Sequence, residues 1–163
     1  MTIPVSTVPL ALAYLNTAIT TAYAADANAS QILLTFIDPG AGPDLPNDII
    51  SIGEVVRTVE PMAMVGSGGQ FWLDEKYEIE CMISSWTGSG PEDGLNTVVL
   101  AMSARAWQLL SYVETAVRTD PSLGGLVTVA YPMAATAPVT GWTENPIGLA
   151  AEITFRIHVE NVS

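Results

Sequence analysis

The chain has 163 residues, with 17 Asp and Glu against five Lys and Arg, for a formal charge of −12. That length suits one domain with a real core, and so acidic a surface excludes a nucleic-acid binder that works by neutralising phosphates. Apolar residues make up 49% and charged residues only 13%, which excludes intrinsic disorder and suggests that neighbouring subunits cover part of the surface.

In chain order, the first expected element is a helix capped by Thr7, with Pro9 tolerated in its first turn. Val8, Leu12, Leu15, Ile19, Ala22 and Tyr23 form its apolar stripe, which should end near residues 26–28. Ala22-Tyr23-Ala24 looks like a leader cleavage site. However, no Lys or Arg precedes the apolar run, and Asn16 and Thr17 interrupt it, so an intracellular protein is expected. No stretch has the length of apolar residues that a membrane span needs, so no membrane partner is expected.

Gln31 to Ile37 reads as a buried strand stopped by Asp38-Pro39-Gly40. Residues 38–48 form an acidic loop, followed by a β-rich stretch from Ile49 to Glu60 in which Gly53 marks a bulge or bend. Met62 to Gln70 is rich in small residues and leads into Phe71 and Trp72. From Tyr77 to Ser85 the odd positions are apolar and belong in the core. A long helix from Leu95 to Arg118 follows the turn at 87–94, and Asp120-Pro121 ends it. Leu126 to Met133 is a strand, Ala137 to Pro146 reads as a loop, and Leu149 to Val159 alternates as a final strand. The expected fold is α+β over residues 1–163 as a single domain. A mainly antiparallel sheet of four to five strands would be covered on one face by two helices. The other face would carry Glu78, Glu80, Glu152 and His158.

Little in this sequence can support catalysis. With one His and one Cys, a closed zinc site is not expected, and Cys81 can form no intrachain disulfide. Asp38, Asp44 and Asp48 lack the alternating spacing of a calcium loop. Gly66-Ser67-Gly68-Gly69 lacks the Lys and Ser/Thr of a phosphate-binding loop, and neither Ser67 nor Ser89 lies in a nucleophile-elbow frame. Seventeen acidic residues always offer some carboxylate pair, which has no specificity. No cofactor, metal or enzyme activity is expected. Phe71, Trp72 and Trp142, beside flexible small residues, read either as interface anchors or as lids over the core ends. Met62 and Met64 join them as candidate interface residues.

Three stretches carry a family likeness: LDEKYEIECMISSWTG, LLSYVETAVRTDPSLGGLV and GLAAEITFRIHVENV, the resembling part running from about Trp72 to about Val159. Together with the element order, they resemble the tail terminator (tail completion) proteins of long-tailed bacteriophages, and the run Asp120 to Gly125 is the most suggestive piece. The resemblance implies a hexameric ring of identical subunits that caps the head-proximal end of the tail tube and ends tube polymerisation. It implies the tail tube protein and the head connector or stopper as partners, with genomic DNA passing through the ring unread. Such a protein belongs to the virion tail and neck, is assembled in the host cytoplasm and has no catalytic residues. Asp38, Asp44 and Asp48 would then be lumen-facing charges that keep passing DNA from adhering. A head-closure or stopper ring protein of the same neck, and an acidic small-molecule hydrolase, are the alternative readings.

Overall fold

The computed structural model describes residues 5–37, 45–62, 72–88, 94–144 and 147–162. Two helices, α1 (Val8–Tyr23) and α2 (Leu95–Thr119), accompany six strands. The strands are β1 (Ile32–Thr35), β2 (Asp48–Met62), β3 (Trp72–Thr87), β4 (Val129–Pro132), β5 (Val139–Glu144) and β6 (Ile147–Val162). The sheet runs β1-β2-β3-β6-β4, with β5 also on β6. All pairs are antiparallel except β1 with β2. The fold is therefore α+β with a mixed, mainly antiparallel sheet.

Strand alternation builds the core. Tyr77, Ile79, Cys81 and Ile83 of β3 face Val159, Ile157, Phe155 and Ile153 of β6 in register, and all eight are buried. Burying one such Ile or Phe stabilises the fold by roughly 1.5–3 kcal/mol. Strand β2 joins the same face through a bulge: Ile52 pairs with Cys81 but Val55 with Ile79, so Gly53 and Glu54 together oppose Glu80. The extra residue shifts the alternation, so that Ile50 and Ile52 before it and Val55 after it all point at the helices. Ala11, Leu15 and Ile19 of α1 and Ala106, Leu109, Leu110, Val113 and Val117 of α2 close that core.

The turn after α2 is held by one side chain. Asp120 accepts hydrogen bonds from Ser122 N (3.0 Å), Ser122 Oγ (2.6 Å), Gly124 N (2.8 Å) and Tyr14 Oη (3.2 Å). These bonds hold its carboxyl below the usual carboxylate range, the Ser122 hydroxyl most of all. They also stabilise three consecutive positive-φ residues, Leu123 (49°), Gly124 (75°) and Gly125 (78°). Leu123 alone has a Cβ to strain, and its side chain is fully buried in the core.

Two expectations are corrected. The segment expected as a loop over 137–146 is in its described part a strand, because Val139 to Glu144 pair with Glu152 to Ile147 as β5. Pro138 and Gly141 look like loop punctuation, yet backbone pairing of Val139 to Glu144 with the first half of β6 decides the conformation there. That strand is why the sheet has six members rather than four or five. Strand 126–133 is also shorter than expected, running only from Val129 to Pro132.

Candidate functional site

The most connected polar cluster lies where α2 crosses the end of α1 and the start of β2. Arg105 is the only charged residue in α2 before Glu114, and its side chain is 15% exposed. Its guanidinium forks onto Asp26, with Nη1 2.7 Å from Oδ2 and Nη2 3.2 Å from Oδ1. It also reaches Asp48 Oδ2 through Nη2 (2.8 Å) and Nε (2.9 Å). Ser85 Oγ donates to Asp48 Oδ1 at 2.8 Å, and Asn28 N donates to Asp26 Oδ1 at 2.8 Å. Asp26 also accepts a short bond from the Tyr112 hydroxyl. Shallow clefts flank the cluster, one lined by Ala22, Ala25 and Gln108, the other by Gln31, Trp86 and Met102.

This arrangement is a latch rather than an acid–base site. Hydrogen bonds from Arg105, and next from Tyr112, hold the Asp26 carboxyl far below the usual carboxylate range despite its burial. A general base at neutral pH needs the opposite shift. The bonds to Asp26 first, and those to Asp48, likewise push the Arg105 guanidinium up, and its donors are spent inside the protein. Cys81 is no nucleophile either, because burial pushes its thiol up, with the Glu80 charge adding to the effect.

A second carboxylate organises the start of α1. Thr7 caps that helix by position but forms no side-chain cap bond. Glu75 of β3 does the work instead, accepting from Thr7 N (3.1 Å), Thr7 Oγ1 (2.9 Å) and Ser6 Oγ (2.6 Å). Arg57 Nε also donates to it, which completes a charged N-terminal anchor. Burial pushes the Glu75 carboxyl up, but bonds from Ser6, Thr7 and Arg57 outweigh it and leave the group below its ordinary value of 4.5. A lowered folded value means the stabilisation is full above that ordinary value and is lost as pH falls through the folded one. Glu75→Gln should therefore lower Tm at pH 7 and flatten the decline of Tm between neutral and acidic pH. Thermal melts across that range check it, and an unchanged acid slope would refute the role.

The opposite face of the sheet carries far more charge than the helical layer. Glu78, Glu80, Glu152, Arg156, His158 and Glu160 share the outer face in register. There Arg156 Nη1 donates to Glu78 (3.0 Å), His158 Nε2 lies 3.0 Å from Glu160 Oε1, and the Tyr131 ring sits 5.0 Å from the His158 ring. Helix α1 contains no charged residue, and α2 has only Arg105, Glu114 and Arg118. Among the described residues no cluster of three or more His, Cys, Asp or Glu is arranged to hold a metal ion. No helix among them is long and apolar enough to cross a membrane.

The sequence-chosen residues separate into three groups. Asp38, Asp44, Met64 and Phe71 lie outside the described residues. Met62 and Trp72 pair where β2 and β3 end their ladder, and Trp142 lies on β5, 45% exposed. Asp48, grouped by sequence with the lumen-facing acids, is instead only 7% exposed and neutralised by Arg105. Sequence reading did not single out Arg105 or Glu75, although both carry a signal. Arg105 stands alone in an uncharged helical stretch, and Glu75 shares the core parity of Tyr77. Trp86 was also missed: its Nε1 donates to Thr143 Oγ1 at 3.0 Å across β6, joining β3 to β5.

No protein-family model matches the sequence, and no curated protein does. Among solved structures, a chain from the virion of a native gene transfer agent particle has 13% identity and a TM-score of 0.34. The similarity covers 90% of this chain and 95% of that one.

Proposed function

We propose that this protein is a structural subunit of a phage-type virion, a tail terminator whose six copies form a ring on the head-proximal end of the tail tube. The observation that carries this reading is the placement of the three family-like stretches. They supply β3, the end of α2 with its Asp120 turn, and β6. Strands β3 and β6 are neighbours and α2 packs over both, so the resemblance covers one contiguous unit. The low charge of the helical layer agrees with a subunit that is partly covered by neighbours. The ring ends tube growth and meets the head connector or stopper, while genomic DNA passes through it without sequence-specific contact. It works in the tail and neck of the virion after assembly in the host cytoplasm, and no catalysis is assigned to it.

A closed ring needs two different complementary patches per subunit. Met62, Met64, Phe71 and Trp72 form one proposed patch, with Met62 and Trp72 at the end of the β2–β3 ladder, and Trp142 belongs to another. Asp38 and Asp44 are the proposed lumen charges. The native mass of the protein, alone and mixed with tail tubes, tests the reading. A six-fold cap on tube ends is expected, and a protein that ignores tubes would overturn it. In assembled particles, Asp38→Lys with Asp44→Lys should slow DNA ejection; unchanged ejection removes the lumen assignment.

A further inference from the structure

Strands β2 and β3 place Asp48 directly opposite Ser85, and helix α2 lays two side chains over that pair. Arg105 covers the Asp48 side with its guanidinium, and Met102, one turn earlier, covers the Ser85 side with its thioether. The Ser85 hydroxyl donates to Asp48 Oδ1 at 2.8 Å and lies 3.9 Å from Met102 Sδ. A hydroxyl has one proton to give, and the charged carboxylate holds it against a weakly accepting thioether. Among the described residues no other methionine sulfur stands this close to a side-chain hydroxyl.

Access is an independent observation. Met102 is partly buried: one side packs against the core, and the other lines a cleft of about 310 Å³ together with Gln31, Asn47 and Trp86. That cleft has room for several waters, so a small oxidant of the peroxide class can enter it. Cys81, the one thiol in the chain, is buried with its thiol pushed up, and it does not compete for such an oxidant.

We infer that Met102 is an oxidation site whose sulfoxide loosens the Arg105 latch. Peroxide transfers one oxygen atom to Sδ: the sulfur gives up two electrons, the O–O bond breaks, and water leaves. A weakly accepting thioether thereby becomes a polar sulfoxide, a far stronger acceptor. The new oxygen grows from an atom already 3.9 Å from Ser85 Oγ, so it competes for the proton that Asp48 holds. Once Ser85 turns to the sulfoxide, Asp48 Oδ1 loses that donor, and Arg105 remains only on Oδ2. The Asp48 side chain is 10% exposed, so the stranded oxygen is poorly hydrated. This chemistry belongs to the fold of one subunit and does not rest on the virion reading.

The test uses the full chain, dilute hydrogen peroxide, peptide mass mapping and thermal melts. In the folded protein Met102 should gain one oxygen, and the fall in Tm, roughly 3–8 °C, should track that gain and not the one at Met133. Met102→Leu nearly conserves volume, so it should melt like the unmodified chain and show no peroxide shift. Met82→Leu and Met133→Leu should keep the full shift. Ser85→Ala should melt lower before peroxide and lose most of the further shift, because the hydroxyl to be diverted is gone. A folded chain in which Met133 is oxidised and Met102 is not would overturn the site. Met102 oxidation without a change in Tm, or a shift that persists in Met102→Leu, would overturn its link to the latch. An undiminished shift in Ser85→Ala would overturn the exchange of the hydroxyl.

Discussion

Arg105→Met is expected to cost about 3–5 kcal/mol, because removing one partner of a buried ion cluster leaves its counter-charges without compensation. The side chains of Asp26 and Asp48 are 3% and 10% exposed, and both lean on this one guanidinium. Methionine fills much of the arginine volume but donates nothing. Two carboxylates would then remain close together in a poorly solvated space. They must take up protons, admit water or swing out, and each route loosens the junction of α1, α2 and β2. For a domain of this size the loss corresponds to a Tm lower by roughly 10 °C. Urea unfolding of the single variant and of Arg105→Met with Asp26→Asn and Asp48→Asn separates the causes. If stranded charge dominates, the triple variant recovers a large share of the stability. A single-variant cost below about 1 kcal/mol, the worth of an exposed ion pair, would show that water already solvates the cluster.

How far the sequence could reveal this architecture depended on whether the relevant forces were local. Strict alternation places β3 and β6, and helical spacing of apolar residues places α2 at Leu95 to Arg118, one residue short of its observed end, because burial of one face leaves a periodic trace. The run from Asp120 to Gly125 was readable as a stop because its chemistry is self-contained: an aspartate, a proline and two glycines make the turn. Strand β5 was not readable. Gly141 and the prolines at 138 and 146 that flank the segment argue for a loop, and what makes it a strand is a pairing partner and the Trp86 indole on the far side of β6. The β1–β2 pair was equally hidden, since nothing within Ile32–Thr35 specifies a parallel neighbour. At the candidate site, Asp48 lay in an acidic loop and was read with it. Its actual role depends on an arginine 57 positions later, a contact that no local pattern encodes. The proposed ring, its proposed partners and its proposed place in the virion rest on the resemblance, which lies in β3, α2 and β6.

Gly148→Ala is expected to cost roughly 2–4 kcal/mol, combining overpacking with a lost half-buried hydrogen bond. Gly148 needs space rather than conformational freedom. A Cβ there would fall inside the Thr87 carbonyl oxygen and 2.5 Å from Trp86 Nε1. The carbonyl cannot retreat easily, because Thr87 is paired with Leu149 in the β3–β6 ladder. The indole therefore has to leave, and with it goes the bond to Thr143 that ties β3 to β5 across β6. Gly141→Ala is the matched control: its Cβ enters open space, and it should change stability by no more than about 0.5 kcal/mol. Urea midpoints followed by tryptophan fluorescence report both the energy and the indole environment. Equal midpoints for Gly148→Ala and the unmodified protein would mean that Trp86 does not pack over this glycine. The consequence reaches beyond the global midpoint. Among the described residues β5 pairs with no strand but β6, so a displaced Trp86 leaves it held by a single ladder. Gly148→Ala should therefore speed hydrogen exchange of the β5 amides, while Gly141→Ala leaves it unchanged.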